Sequence, residues 1–381
     1  MGSPVRSMPS FSAQAGLYIH VPFCRRKCPY CDFFSVPSTA LVRPWITALL
    51  KEMPRYTWWP GRFDSMYFGG GTPSLLHIEE LEEVLRHVRA HFSFSPDTEI
   101  TLEANPGDLT KEQLKGFMEL GINRISLGVQ SFDAKALAFL GRRHTVDDAE
   151  GAISLLKDAG FLNFGIDLIY GFREQPLLNW EETLHRALSF EPAHVSCYQL
   201  TIEPRTYFWK LVKAGRLTPL DEETARSQFL TTSRFLTSRG YRHYEISSFA
   251  KSEAYRSRHN LKYWTHVPYL GLGPSAHSFL GRQRWWNVRS LRKYNRRLMA
   301  MVSPVEDSEV LSEAQIALET TALGLRTHLG ISSEAIGSDP DARGRLSRLE
   351  GEGLLKIRSG KIRPTPKGFA VADALPLYLS P

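Results

Sequence analysis

The sequence predicts an α/β fold: a partial (β/α)6, TIM-like barrel with a C-terminal winged-helix-like domain. Three observations support this. Over residues 17–205, short β-rich runs alternate with amphipathic helical runs, the pattern of a parallel sheet with right-handed crossovers. The β-rich runs are apolar enough to be covered on both faces. Beyond about residue 210 the rhythm breaks, and the chain closes with a helix–hairpin–helix pattern over 346–375.

In chain order the expected strands are LYIHV (17–21), SMYFG (65–69), EITLEA (99–104), RISLGV (124–129), NFGIDLI (163–169) and HVSCYQL (194–200). Each is rich in β-branched or aromatic residues. Between them, 81–92 places Leu81, Val84, Leu85 and Val88 on one helical stripe, and 149–160 and 182–190 follow the same period. Gly121 and Gly160 stand where helix C-caps belong. A closed eight-unit barrel needs two further units that residues 17–205 do not contain, hence an open, partial one. After it, 220–240 reads as a helix ended by Gly240, 241–250 as a strand, 255–286 as a segment rich in aromatic residues and histidine, and the tail from Ser308 as helical. The expected organisation is a disordered lead (1–15), the barrel (16–210), a middle extension (211–305) and the winged-helix-like domain (306–381).

The net charge is +7, but the basic residues are scattered and form no block. In the tail, Arg343, Arg345 and Arg348 stand among acidic neighbours, so no nucleic-acid partner is expected and a lid or docking surface is the better use of that domain. No apolar run approaches the roughly 18 residues of a membrane span, and MGSPVRSMPSFSAQ lacks the apolar segment of a secretory signal. The chain has four cysteines, three of them clustered, which is not a disulfide framework and points to a reducing, cytoplasmic setting.

In such folds function gathers at the C-terminal strand ends, and there the unusual residues lie. The first strand runs into Cys24, Cys28 and Cys31. Thiolates bind zinc, copper(I) or iron–sulfur clusters. Zinc wants four ligands, with His20 as the available fourth. A 4Fe-4S cubane held by three thiolates leaves one iron open to a small molecule. Arg25, Arg26 and Lys27 lie within the loop and would offset cluster charge. Gly69, Gly70 and Gly71 end the second strand and let backbone groups approach a ligand closely. Glu103, Gln130 and Asp167 are polar groups at successive strand ends, and Arg142 suits a bidentate carboxylate pair. Cys197, on a strand, reads as a small core residue.

The C-x3-C-x2-C loop after the first strand of a β/α barrel resembles the radical S-adenosylmethionine (SAM) superfamily. There the open iron is chelated by the amino and carboxylate groups of SAM. Together YIHVPFCRRKCPYCDF, YFGGGTPS, EANP, GVQSF, IDLIYG and HNLKYW resemble, over residues 16–376, the family of the anaerobic coproporphyrinogen III oxidase or dehydrogenase (HemN) and its haem-chaperone (HemW) branch. The resemblance implies that Cys24, Cys28 and Cys31 hold the 4Fe-4S cluster. It implies that Tyr18, Gly70 and Glu103 hold the cluster-bound S-adenosylmethionine, and that Tyr30, Gly71, Thr72, Gln130, Arg142 and Asp167 match positions around the dehydrogenase's second SAM. Phe33 replaces that enzyme's fourth cysteine, and the lead before the first strand is shorter than its N-terminal segment. These departures, with HNLKYW (259–264), point to the haem-chaperone branch.

The implied function is to bind haem and pass it to acceptor haemoproteins such as cytochromes or respiratory enzymes, with transient membrane-protein contact and a homodimer among the implied partners. The alternative is oxidative decarboxylation of porphyrinogen propionates to vinyls; a third reading is a haem-utilisation relative that modifies the porphyrin. A haem slot needs aromatic walls, basic groups and an axial ligand. Residues 255–286 offer His259, Tyr263, Trp264, His266, His277, Trp285 and Trp286, with Arg256, Arg258, Arg282 and Arg284.

Overall fold

The computed structural model describes residues 14–379 apart from 174 and 337–339. Most of the expected lead lies outside the described residues, and Ala15 already belongs to the first strand. Six strands pair in parallel and in chain order: β1 (Ala15–Val21), β2 (Phe63–Gly70), β3 (Phe94–Ala104), β4 (Arg124–Gln130), β5 (Phe164–Tyr170) and β6 (His194–Gln199). All six expected strands are present; β3 starts five residues earlier than its apolar run (Phe94 against Glu99), where SPDT carries no strand signal. Gly121 and Gly160 close their helices at φ +87° and +89°.

Period-two alternation divides each strand. Leu17, Ile19 and Val21 of β1, Met66 and Phe68 of β2 and Leu102 of β3 are buried in the main core. The opposite face carries Tyr18, Tyr67, Glu103, Ser126, Asp167 and Tyr198, and all of them line one cleft. Parallel register makes this a continuous stripe: Tyr18 lies beside Tyr67, Glu103 beside Ser126, and Asp167 beside Ser196.

An open parallel sheet leaves two edges with unpaired backbone groups. The middle extension pairs with both. The hairpin of β7 (Arg242–Glu245) and β8 (Ser248–Ala250) joins β6. β9 (Tyr269–Leu272) runs parallel to β1, followed by the antiparallel strands β10 (His277–Leu280), β11 (Gln283–Asn287) and β12 (Val305–Val310). The result is one open sheet of 12 strands. Residues 241–250, expected as one strand, are therefore a hairpin. The tail expected to be helical from Ser308 starts as strand. The expected boundaries after residues 210 and 305 fall inside the helix Tyr207–Lys213 and inside β12. A buried carboxylate fastens the extension: Glu52, on the helix Val42–Glu52, accepts from Gly273 N (2.8 Å), Asn287 Nδ2 (2.6 Å) and Tyr294 OH (2.5 Å).

The C-terminal module has its own antiparallel sheet, β13 (Ile331–Ser332), β15 (Lys361–Pro364) and β14 (Leu355–Arg358), in that order. Leu325, Ile331, Leu346, Leu355 and Ile362 belong to its separate core. It is tied to the β7–β8 turn, since Ile246 N donates to Arg326 O (3.2 Å) and His328 N to Tyr244 O (2.9 Å).

Candidate functional site

The cysteine loop leaves the sheet and returns at one point. Cys24 N donates to Val36 O (3.0 Å) and Val36 N to Pro22 O (2.7 Å). Within the loop, Cys31 N reaches Cys28 O (3.2 Å), and Lys27 Nζ reaches Phe33 O (2.8 Å). His20 anchors it from below. Its Nε2 lies 2.8 Å from Phe34 O, and a carbonyl only accepts, so Nε2 carries the proton and Nδ1 accepts from Tyr18 OH (3.1 Å). Burial lowers the His20 pKa to about 4. Both ring nitrogens are engaged, so His20 is a loop anchor rather than a fourth metal ligand.

The glycine turn serves the same loop. Gly70 has φ +108°, and a Cβ there would lie 2.4 Å from the His20 ring; one on Gly71 would lie 2.5 Å from Phe23 O. Gly70 N donates to Glu103 Oε2, Gly71 N to Val21 O and Thr72 N to Phe23 O. The expected free backbone donors are thus already in use; these residues clamp loop to strand.

A chain of hydrogen bonds supports two of the sulfurs. Thr72 Oγ1 donates to Cys24 Sγ (3.6 Å) and accepts from Asn105 Nδ2 (2.9 Å). Arg142 donates to Cys28 Sγ (3.4 Å), to Gly128 O (2.8 Å) and to Asn105 Oδ1. Arg142 therefore holds a thiol, an amide and a carbonyl in place of the expected carboxylate. Asn105 did not stand out in the sequence; its signal was its place in EANP, two residues beyond Glu103. Arg25 pairs with Asp108 (3.0 Å), which also holds Arg143 (3.0 Å), and Arg25 does not line the cleft. Burial pushes the Cys31 thiol up to about 11, so it stays protonated until a cation displaces the proton.

Glu103 accepts from Tyr67 OH (2.7 Å) as well as from Gly70 N (3.2 Å). Desolvation raises its pKa to about 7, assisted by Asp167. Asp167 accepts from Ser126 Oγ (2.7 Å), and burial raises its pKa too. Gln130 sits at φ +70°, at the β4–β5 register shift, a strained backbone for a residue with a Cβ. Tyr30 stands beside Arg142 and packs on Phe208. The three cysteines and all nine of these SAM-site candidates, from Tyr18 to Asp167, line a single cleft of about 1150 Å³.

A second wall comes from the middle extension, and there the expected haem candidates separate. Tyr263 and His277 line the cleft, joined by Tyr269 and Arg289. His259 does not; it is 1% exposed, with Ser65 Oγ 3.2 Å from Nδ1 and Tyr263 OH 2.9 Å from Nε2. Trp285 is buried against Tyr56 and Trp59, and His266 stacks on Phe279 and meets Glu319 at 3.3 Å. Arg256, Arg258, Arg282 and Arg284 are paired with carboxylates away from the cleft. The cations that line it are Arg26, Lys27 and Arg142, which the sequence already grouped with the cysteines, and Arg289, which it did not.

A family model of the radical SAM superfamily matches residues 18–187, and one of the HemN C-terminal domain matches 311–371. The fold and the cysteine loop put the chain in the radical SAM class. It is 36% identical to the heme chaperone HemW of Synechocystis, over 83% of this chain and 78% of that one. It is 37% identical to that of Bacillus subtilis (83% and 84%) and 32% identical to that of Mycobacterium tuberculosis (94% and 93%). The chain belongs to the HemW family. The solved structure of coproporphyrinogen III oxidase (HemN) from Escherichia coli matches 97% of this chain and 91% of its own with a TM-score of 0.81, and at 20% identity it shows a shared fold.

Proposed function

We propose that this protein binds haem and transfers it to acceptor haemoproteins, using a 4Fe-4S cluster and SAM as resident groups. One observation carries the reading: a single cleft is lined both by the three thiols and by a set of aromatic side chains. Its volume of about 1150 Å³ exceeds the roughly 300–1,000 Å³ of a site for one small molecule, which leaves room for a nucleotide and a flat cargo together. The names of the relatives point the same way.

The residues fit the cluster. Cys24, Cys28 and Cys31 supply three thiolates from one anchored loop, and Thr72 and Arg142 direct donors at two of the sulfurs. Among the described residues no three His, Cys, Asp or Glu side chains converge on a single ion; a cubane instead spreads its ligands over separate irons. When bound, the cluster supplies one electron to the sulfonium of SAM. Glu103 receives the amino group of SAM, with Tyr18 and Gly70 beside it. Tyr30, Gly71, Thr72, Gln130, Arg142 and Asp167 border space for a second nucleotide. Tyr263 and Tyr269 offer flat faces to the tetrapyrrole.

No helix among the described residues is long and apolar enough to cross a membrane. We place the protein in the cytoplasm, meeting membrane-bound acceptors transiently, and infer that it works as a homodimer. The test is anaerobic. The chain with its cluster takes up stoichiometric haem and converts an apo-cytochrome to its haem form. Incubated with coproporphyrinogen III, SAM and a reductant, it releases no carbon dioxide in turnover. Steady release would replace the chaperone reading with the dehydrogenase one.

A further inference from the structure

We propose that His277, rather than His259 of the HNLKYW motif, ligates the iron of the haem cargo; this rests on the haem-binding reading above. An axial histidine needs an accessible imidazole nitrogen with its lone pair free, beside a slot wide enough for a macrocycle. His20 and His277 are the histidines among the described residues that line the cleft. His20 has both nitrogens engaged by Tyr18 and Phe34. His259 has both engaged by Ser65 and Tyr263, and it is packed against Gly16, where a Cβ would approach its ring to 3.0 Å. Bringing His259 to a haem iron would require breaking two buried hydrogen bonds and withdrawing its ring from under Tyr67, on which it stacks at 5.1 Å.

His277 carries none of these restraints. It is exposed, it opens β10, and no described side chain or backbone group hydrogen-bonds its ring. One face of the ring is supported by Trp286, the β11 residue opposite it, at 5.8 Å with planes 26° apart. The turn before it is closely packed. A Cβ at Gly273, φ +98°, would lie 2.7 Å from His20 O; Glu52 accepts from Gly273 N, and Ser275 holds φ +66°. This turn thus rests directly on the residue that anchors the cysteine loop. Tyr263 and Tyr269 on the same wall provide the flat surface, and Arg26, Lys27 and Arg289 provide cations for propionates. Arg289 is itself steadied by Asp32 at 3.1 Å.

Ferric haem is added anaerobically to the full chain carrying its cluster, and haem EPR and the Soret position are read for wild type, His277→Gly and His259→Gln. Wild type shows histidine ligation. His277→Gly loses that signature and binds about 10- to 100-fold more weakly, and free imidazole restores the signature; His259→Gln, folded by circular dichroism, keeps it. Persistence of the wild-type spectrum in His277→Gly overturns the assignment. So does loss without rescue by imidazole, or loss in folded His259→Gln. Absence of haem uptake by wild type is a separate result and removes the haem-binding reading itself.

Discussion

The two walls of the cleft are built on opposite principles. On the cysteine side, polar atoms are bound to one another: Cys24, Thr72, Asn105, Arg142 and Cys28 form one chain of hydrogen bonds, and His20 and the glycine turn hold the loop to the sheet. On the side built by the middle extension, Tyr269 and His277 present rings that mostly pack face or edge on other rings. Networked hydrogen bonds give a fixed geometry, as suits a resident group held for the life of the protein. Packed rings give area with little directionality, which suits a cargo that must also leave. A chaperone needs both within one cavity.

The strongest way to break this contrast is Cys24→Ala. Iron content and brown absorbance fall to background after anaerobic reconstitution. Undiminished iron would mean that the bonded wall does not hold a cluster at all. Next in size is Asn105→Ala, which unties Thr72 from Arg142 while leaving all three thiols in place. The cluster assembles but yields to a chelator, with about 10- to 100-fold lower iron affinity. Haem affinity, which rests mainly on His277, Tyr263 and Tyr269 of the other wall, is unchanged. If both fall together, the walls are one unit.

Glu103→Gln sharpens the comparison within the bonded wall. Loss of a hydrogen bond to a charged group costs about 1.5–3 kcal/mol, so calorimetry shows SAM affinity weakened by roughly 10- to 150-fold and haem affinity retained. The wild-type pH dependence follows from the raised pKa of about 7. Glu103 is protonated below that value and no longer offers an ionised acceptor to the N–H groups of the iron-bound amine of SAM. SAM affinity is therefore full above pH 7 and weakens about tenfold per unit as pH falls below it. Glu103→Gln removes that slope, and a slope surviving in the variant would assign it to another group. The smallest effect belongs to Cys197→Ala, since Cys197 is 3% exposed on β6 and outside the cleft. It costs about 1 kcal/mol of unfolding free energy by denaturant titration and leaves the iron content intact.

The strands were legible because buried parallel strands are short and apolar, and their loops carry residues that have no structural use elsewhere. Cys24, Cys28 and Cys31 are close in sequence, so their grouping required no knowledge of the fold. Glu103, Gln130 and Asp167 stand out in the sequence by their place at strand ends, and all three line the cleft. The haem segment was less legible. Composition alone made His259 and His277 equivalent, whereas the sheet buries one and exposes the other. The paired arginines misled for the same reason: a guanidinium near an aromatic in sequence says nothing about which carboxylate it meets across the sheet. Asn105 escaped notice because an asparagine at the end of a strand is more often a cap, and only its neighbours Thr72 and Arg142 make it a link.

By itself the sequence determined the fold class, the family and the thiol trio, since periodicity and local spacing act over a few residues and survive without knowledge of distant contacts. Tertiary structure alone decided which histidine faces the cavity and which cations reach it. It also decided that the middle extension would pair with both edges of the parallel core. These depend on burial and on strand pairing between residues far apart in the chain, such as His194 with Ala250 and Gly16 with Tyr269, where linear order carries no distance information.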